Sequence, residues 1–165
     1  DETLFESIFA GFKALADKKR EVFDNDLEAL ANGHDPEASG PWHIEQWHTA
    51  SHNGGTASAS VRLSHDQGFQ ISEASIGDGP VHAILSAFER ATGYALTIRN
   101  FNIHSLSNGG DAQGQASLIV DYMGREVRGN GVSTDIVEAA ALAALEVVNR
   151  IERIKAPECL AANLS

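Results

Sequence analysis

The sequence predicts an α+β fold: two tandem βββα units packed about a pseudo-two-fold axis, preceded by a small helical subdomain. Three observations carry this reading. After residue 41, strand-like alternation gives way to helix-like periodicity twice, in the same order. Matching segments recur at equivalent points, Ser60-Val61-Arg62-Leu63 with Ser117-Leu118-Ile119-Val120, and Asp78-Gly79-Pro80-Val81 with Thr134-Asp135-Ile136-Val137. In front of both units stands an aromatic-rich helical stripe set off by a Pro/Gly segment.

The helical subdomain spans residues 1–33. Thr3 and Glu6 fit a capping box, and Leu4, Phe5, Ile8, Phe9, Phe12 and Leu15 follow at helical spacing. A second helix is expected from Asp24 through Leu27 and Leu30, ending at Asn32-Gly33. Residues 34–41, with two prolines and small polar residues, form the linker to the main domain at 42–156.

Repeat one covers 42–93. Its expected strands are 42–48, 57–63 and 69–75; in the second, Val61 and Leu63 share one face and Arg62 takes the other. Asn53-Gly54-Gly55 is read as a turn. Pro80 then opens a helix at the one position where its missing N–H costs nothing, and Gly93 closes it.

Repeat two covers 94–156, with strands expected at 96–106, 115–121 and 126–128. Gly129-Asn130-Gly131 is read as a turn into Ser133-Thr134-Asp135 and a long Ala/Leu/Val helix from Ile136 to about Ile154, leaving 157–165 as a tail. One βββα unit has a thin core; two packed together bury far more. The two helix N-termini could then converge, where free N–H groups and the helix dipole favour a carboxylate.

Charge and cysteine content narrow the function classes. The formal net charge of −11 disfavours attraction to nucleic-acid phosphates or anionic lipid, and acidic neighbours flank the basic run Lys18-Lys19-Arg20. Cys159 is the only cysteine, so neither an intrachain disulfide nor a Cys-based metal cluster forms. No membrane-length apolar run and no signal-peptide pattern occur, which makes the cytoplasm the expected compartment. Among the seven histidines, His43 and His48 fall on opposite strand faces, and a turn separates His48 from helical pairing with His52, so a zinc site is not expected. No nucleophile-elbow motif is present.

Gly77-Asp78-Gly79-Pro80-Val81, Gly109-Gly110-Asp111-Ala112-Gln113-Gly114 and the nine residues Gly131-Val132-Ser133-Thr134-Asp135-Ile136-Val137-Glu138-Ala139 resemble, in that order, the signature stretches of the regulatory domain of 2-isopropylmalate synthases. Val148-Asn149-Arg150 fits the same family, and residues 15–22 and 26–30 resemble its linker subdomain. The resemblance covers nearly the whole chain. It implies an allosteric and dimerisation domain that binds leucine, or a similar branched-chain amino acid, between the two βββα units. It further implies a homodimer, and a partner barrel elsewhere in the polypeptide that condenses acetyl-CoA with 2-oxoisovalerate. That barrel would carry a divalent metal. These residues include neither enough chain for a barrel nor the family's His-x-His metal motif, so they should bind and regulate without catalysing, and without a cofactor of their own.

The resemblance also supplies ligand-site candidates: Asp78, Gly79, Pro80, Val81, His82, Ile98, Phe101, Ser105, Asp111, Ser133, Thr134 and Asp135. For Asp78 to Pro80 a tight turn with an Asp cap is the competing role; for Ser133 to Asp135 both roles are expected, the caps fixing a helix start that faces the pocket. Val81, Ile98, Phe101 and Ser105 match positions around the ligand side chain, although such residues taken singly are more often plain core. Asp111 either orients the ligand's ammonium or holds a turn. Phe101 stands where family members often carry tyrosine, and His82 and Ile84 depart from the more common small or acidic residues. A citramalate-synthase regulator responding to isoleucine, a dimerisation module without a ligand, and an RNA-binding domain are the competing readings; the acidic balance disfavours the last.

Overall fold

The computed structural model describes residues 6–13, 40–105 and 112–163, with side chains to residue 155. The chain divides into two compact units, 1–38 and 39–165, and the division falls inside the expected linker. In the first unit residues 6–13 are helical, as the aromatic stripe predicts. The Thr3 cap, the helix at 24–33, most of the linker, Asp111 with its glycines, and the side chain of Cys159 lie outside the described residues.

The second unit is β1 (Trp42–Ala50), β2 (Ala57–His65), β3 (Phe69–Gly77), α1 (Pro80–Thr92), β4 (Thr97–Ser105), β5 (Gly114–Tyr122), β6 (Arg125–Ser133) and α2 (Ile136–Asn163). Each repeat is a three-stranded antiparallel meander, ordered β1-β2-β3 and β4-β5-β6, followed by its helix. The repeat extends to its irregularities. β1 slips register between Ile44 and Gln46, and β4 slips between Ile98 and Asn100, each near the start of the first strand.

Alternation sets which faces are buried. In β2, Ala57, Ala59, Val61 and Leu63 point inward while Ser58, Ser60 and Arg62 are exposed. α1 packs on β2 and β3, α2 packs on β5 and β6, and the two helices touch each other. Sheet on one side and helix on the other explain why burial runs most of the way round both helices. Ala83, Ile84, Ala87 and Phe88 are fully buried in α1, as are Ala140, Ala143, Ala144, Val147 and Val148 in α2. Burial of Phe88 alone contributes roughly 2–3 kcal/mol.

Two sequence expectations fall to the tertiary structure. Gly129-Asn130-Gly131 is not a turn; β6 runs straight through it to Ser133. Both glycines face α2, and a Cβ at Gly131 would lie 2.1 Å from the Ala139 carbonyl oxygen, one at Gly129 2.3 Å from that of Ala143. Their lack of a side chain lets the alanine face of α2 approach the strand. The true hairpin is Met123-Gly124, with φ of 49° and 80°, the left-handed pair that a two-residue connection requires. The second revision is the end of α2, which continues to Asn163 instead of stopping near Ile154.

The helices also share a direction. α1 ends at Gly93, and the next residue, Tyr94, bonds through its hydroxyl to Glu152, sixteen residues into α2. Ala141 lies on the opposite side of α2 from Ala139 and Ala143, which meet β6, yet it is fully buried, so α1 runs beside the first part of α2; both helix starts then lie at one end of the domain, with Tyr94 and Glu152 at the other.

Candidate functional site

At the shared end the two helix starts are built differently. Gly79 caps α1 in an extended conformation (φ −151°, ψ 171°) and offers no side-chain bond, while no acidic residue occupies the first turn. Pro80 has no N–H, and Gly79 contributes its carbonyl to the Ala83 N–H at 2.9 Å. The remaining first-turn donors, the N–H groups of Val81 and His82, therefore receive nothing from the cap. Gly77, just upstream, is required by close approach: a Cβ there would sit 2.6 Å from the Ala83 nitrogen.

The start of α2 is closed by its own side chains. Asp135 Oδ1 accepts from the N–H groups of Val137 (2.7 Å) and Glu138 (3.3 Å). Ser133 Oγ accepts from the Asp135 N–H at 3.0 Å and pairs with the Glu138 carboxylate. The spacing predicts a capping box between Asp135 and Glu138; here Glu138 reaches Ser133 instead. Capping is thus the observed role of Ser133 and Asp135, and the N–H groups of Val137, Glu138 and Ala139 at the start of α2 are already occupied.

The other candidates are distributed as follows. Asp78 is exposed and lies 3.7 Å from His82 Nδ1, which also accepts from the Asp78 N–H at 3.3 Å. Val81 is half-buried, and Thr134 is exposed. Ser105 pairs with Gly114, which pairs with Ser133, so Ser105 and Ser133 stand on one face in one cross-strand row, separated by a glycine. The same helix-facing side of β4 carries Phe101, opposite Leu118, and Ile98, opposite Val120. Ile98 lies seven residues from Ser105, about 20 Å along the strand, at the far end from the helix starts. The strand thus groups Ser105 with the α2 cap and parts Ile98 from both.

α2 covers β5 and β6 but leaves β4 open. Ile98 and Ile103 are 43% and 42% exposed, Phe101 is only half-buried, and Ile136 at the start of α2 is 49% exposed. Ile98, Phe101 and Ile103 line one face of β4 as an apolar strip that the described residues leave uncovered.

Sequence reading assigned no role to a polar cluster at the opposite end. Asn149 uses its side-chain amide on both backbone groups of Trp42: the Trp42 N–H donates to Oδ1 (2.9 Å) and Nδ2 donates to the Trp42 carbonyl (3.1 Å). Glu152 Oε1 accepts from the Trp42 indole N–H (3.1 Å) and from the Tyr94 hydroxyl. Burial, and then the Glu152 carboxylate, push the Tyr94 hydroxyl well above its ordinary value. The available signal is an asparagine directly after Val147-Val148 on a helix rich in alanine, leucine and valine.

Comparison with known proteins meets this architecture directly. Residues 21–152 match the family model of the LeuA allosteric (dimerisation) domain. A 2-isopropylmalate synthase of Proteus mirabilis (strain HI4320) is 41% identical over 149 residues, 90% of this chain and 28% of that protein. The one from Pectobacterium atrosepticum is 39% identical over 157 residues, 93% of this chain and 29% of the relative. That of Xanthomonas axonopodis pv. citri is 42% identical over 146 residues, 88% and 28% respectively. The chain thus spans under a third of the length of these curated relatives. With the family model matched across both βββα repeats, the chain belongs to the LeuA allosteric (dimerisation) domain family.

Proposed function

We propose that this chain is the regulatory and dimerisation part of a 2-isopropylmalate synthase and binds leucine as a feedback signal. The observation that carries the reading is the open start of α1: first-turn N–H groups that Gly79 leaves uncapped suit the carboxylate of an amino acid. The capped start of α2, with Ser133, Thr134 and Asp135, forms the neighbouring wall, and Asp78 and His82 supply polar groups at the rim. Val81 and Phe101 offer apolar surface, Ser105 closes the row toward Ser133, and Asp111 is retained as a candidate for the ammonium. Burying a leucine side chain against such surface contributes roughly 2 kcal/mol.

The apolar strip of β4 gives the dimerisation half of the proposal its surface. The occupant is a second copy of this chain, in keeping with the family's description as a dimerisation domain. A net charge of −11 on each copy makes apolar contact, and not charge pairing, the natural basis for self-association.

Catalysis belongs to the rest of the polypeptide. There a metal-bearing barrel would condense acetyl-CoA with 2-oxoisovalerate in the cytoplasm, and no catalytic residue or cofactor is assigned to this chain. Titration calorimetry with leucine, isoleucine and valine tests the reading. Heat with leucine at millimolar concentration or below supports it; a folded chain giving no heat with any of the three refutes it, and a preference for isoleucine reassigns the effector.

A further inference from the structure

The helix pair has one end at the candidate effector site and the other at the polar cluster of Trp42, Tyr94, Asn149 and Glu152. The four come from three separate stretches of chain. Trp42 opens β1, two residues after Gly40, where the chain enters this unit from residues 1–38. Tyr94 directly follows the cap of α1 and leads into the second repeat. Asn149 and Glu152 lie one turn apart on α2. Trp42, Tyr94 and Asn149 are 4%, 6% and 3% exposed, so their bonds have no ready substitute in water. The backbone at Gly40 also runs against Asn149: a Cβ there would meet Asn149 Cγ at 2.6 Å.

We propose that this cluster is a relay, through which occupancy of the helix starts is passed to the segment that enters the domain at Gly40. The inference rests on the reading of that end as the effector site. From Ile136 to Asn149 the helix spans about 20 Å, and a close-packed helix moves as a rod. A ligand seated between the two starts changes how the rods lie against one another. An apolar contact at the far end would slide and absorb the change. The two-point amide bond from Asn149 to Trp42 does not slide, because a shift large enough to break one bond leaves a buried backbone group unpaired. Glu152 adds a second constraint by holding Trp42 of repeat one and Tyr94 of the junction on a single oxygen. A cluster made or broken as a unit is the kind of two-state element that coupling between sites requires.

Reciprocity supplies the test. If the relay operates, loosening it changes leucine affinity from about 20 Å away. Calorimetry on the whole chain with Tyr94→Phe and Glu152→Gln, each checked for native circular dichroism, is expected to move the leucine Kd by about fivefold or more, while the surface variant Arg99→Ala leaves it in place. Wild-type chain provides a second readout that needs no variant: the Trp42 indole N–H resonance is expected to shift during leucine titration with the calorimetric Kd. A folded pair of variants with Kd within about twofold of wild type, or a static Trp42 indole resonance at saturation, overturns the relay while leaving leucine sensing intact. Wild-type chain that gives no heat with leucine overturns both.

Discussion

The side-chain amide of Asn149 takes the place of a neighbouring strand for Trp42, meeting its N–H at 2.9 Å and its carbonyl at 3.1 Å across 107 residues of sequence. The first residue of β1 is thereby paired by a helix. Replacing Asn149 with alanine leaves two buried backbone groups without partners. The expected loss is about 2–4 kcal/mol in urea unfolding. A cost below about 0.5 kcal/mol, the level of an ordinary surface change, would show that the pairing contributes nothing.

Gly131 and Gly124 are both glycines of the second repeat with opposite reasons to be so. A Cβ at Gly131 strikes backbone at 2.1 Å, whereas one at Gly124 meets nothing within 4 Å and is disfavoured only by φ 80°. Gly131→Ala is expected to cost more than about 3 kcal/mol or prevent folding, and Gly124→Ala only about 1–2 kcal/mol. Thermal unfolding of the pair checks the order, and equal costs would contradict the close approach of α2 to β6.

Gly79 tests the open helix start. Its backbone is extended and a Cβ there would touch nothing within 4 Å, so Gly79→Asp introduces a side-chain cap without strain. The variant is expected to match or exceed wild type in Tm, gaining up to about 1 kcal/mol from the cap. Leucine binding measured by calorimetry should fall by at least tenfold, or about 1.4 kcal/mol, since the new carboxylate occupies the same donors. Undiminished leucine affinity would move the carboxylate site elsewhere.

A pH dependence follows from Asp121. The Arg99 guanidinium at 2.6 Å, followed by the Gly124 N–H at 3.0 Å, holds its carboxyl below the usual 3.8. A depressed folded-state value means that the contribution is present above that ordinary value and is lost as pH falls through the folded one. Titration by carboxyl NMR should place the Asp121 midpoint below 3.8, and Arg99→Ala should return it toward that value. An unmoved midpoint in Arg99→Ala would assign the depression to the Gly124 N–H instead.

Self-association should depend on the open strip of β4. Ile103 is 42% exposed, so Ile103→Asp changes little in the isolated fold. In sedimentation velocity the wild type is expected to run as a dimer and Ile103→Asp as a monomer with native circular dichroism. A variant that remains dimeric would place the interface on another face.

Much of this architecture is legible in the amino-acid order because it is local. Alternation in residues 57–63 exposes a half-buried strand, Pro80 and Gly93 bracket α1, and Asp135 sits where a cap belongs. Short-range geometry alone determines such signals: the pleat has a period of two, the helix a period of 3.6, and caps bond within three residues. The ordered motifs add the family, and with it the expectation of an effector at the helix starts.

What depends on distant partners was not legible. Gly129-Asn130-Gly131 carries a turn's composition, yet it is strand, because the alanine face of α2 needs strand without side chains. Asn149 belongs to a recognised motif, but its role exists only once β1 lies beside α2. Ser105 and Ser133 share a row, while Ile98, assigned to the same site, lies at the other end of β4; register, and not residue type, decides that. By itself the sequence determined the two βββα repeats and their family, since these follow from local periodicity and ordered motifs. Only the tertiary structure decided which helix start is open, which strand is left uncovered and which side chains join the two repeats, because each depends on contacts between segments far apart in the chain.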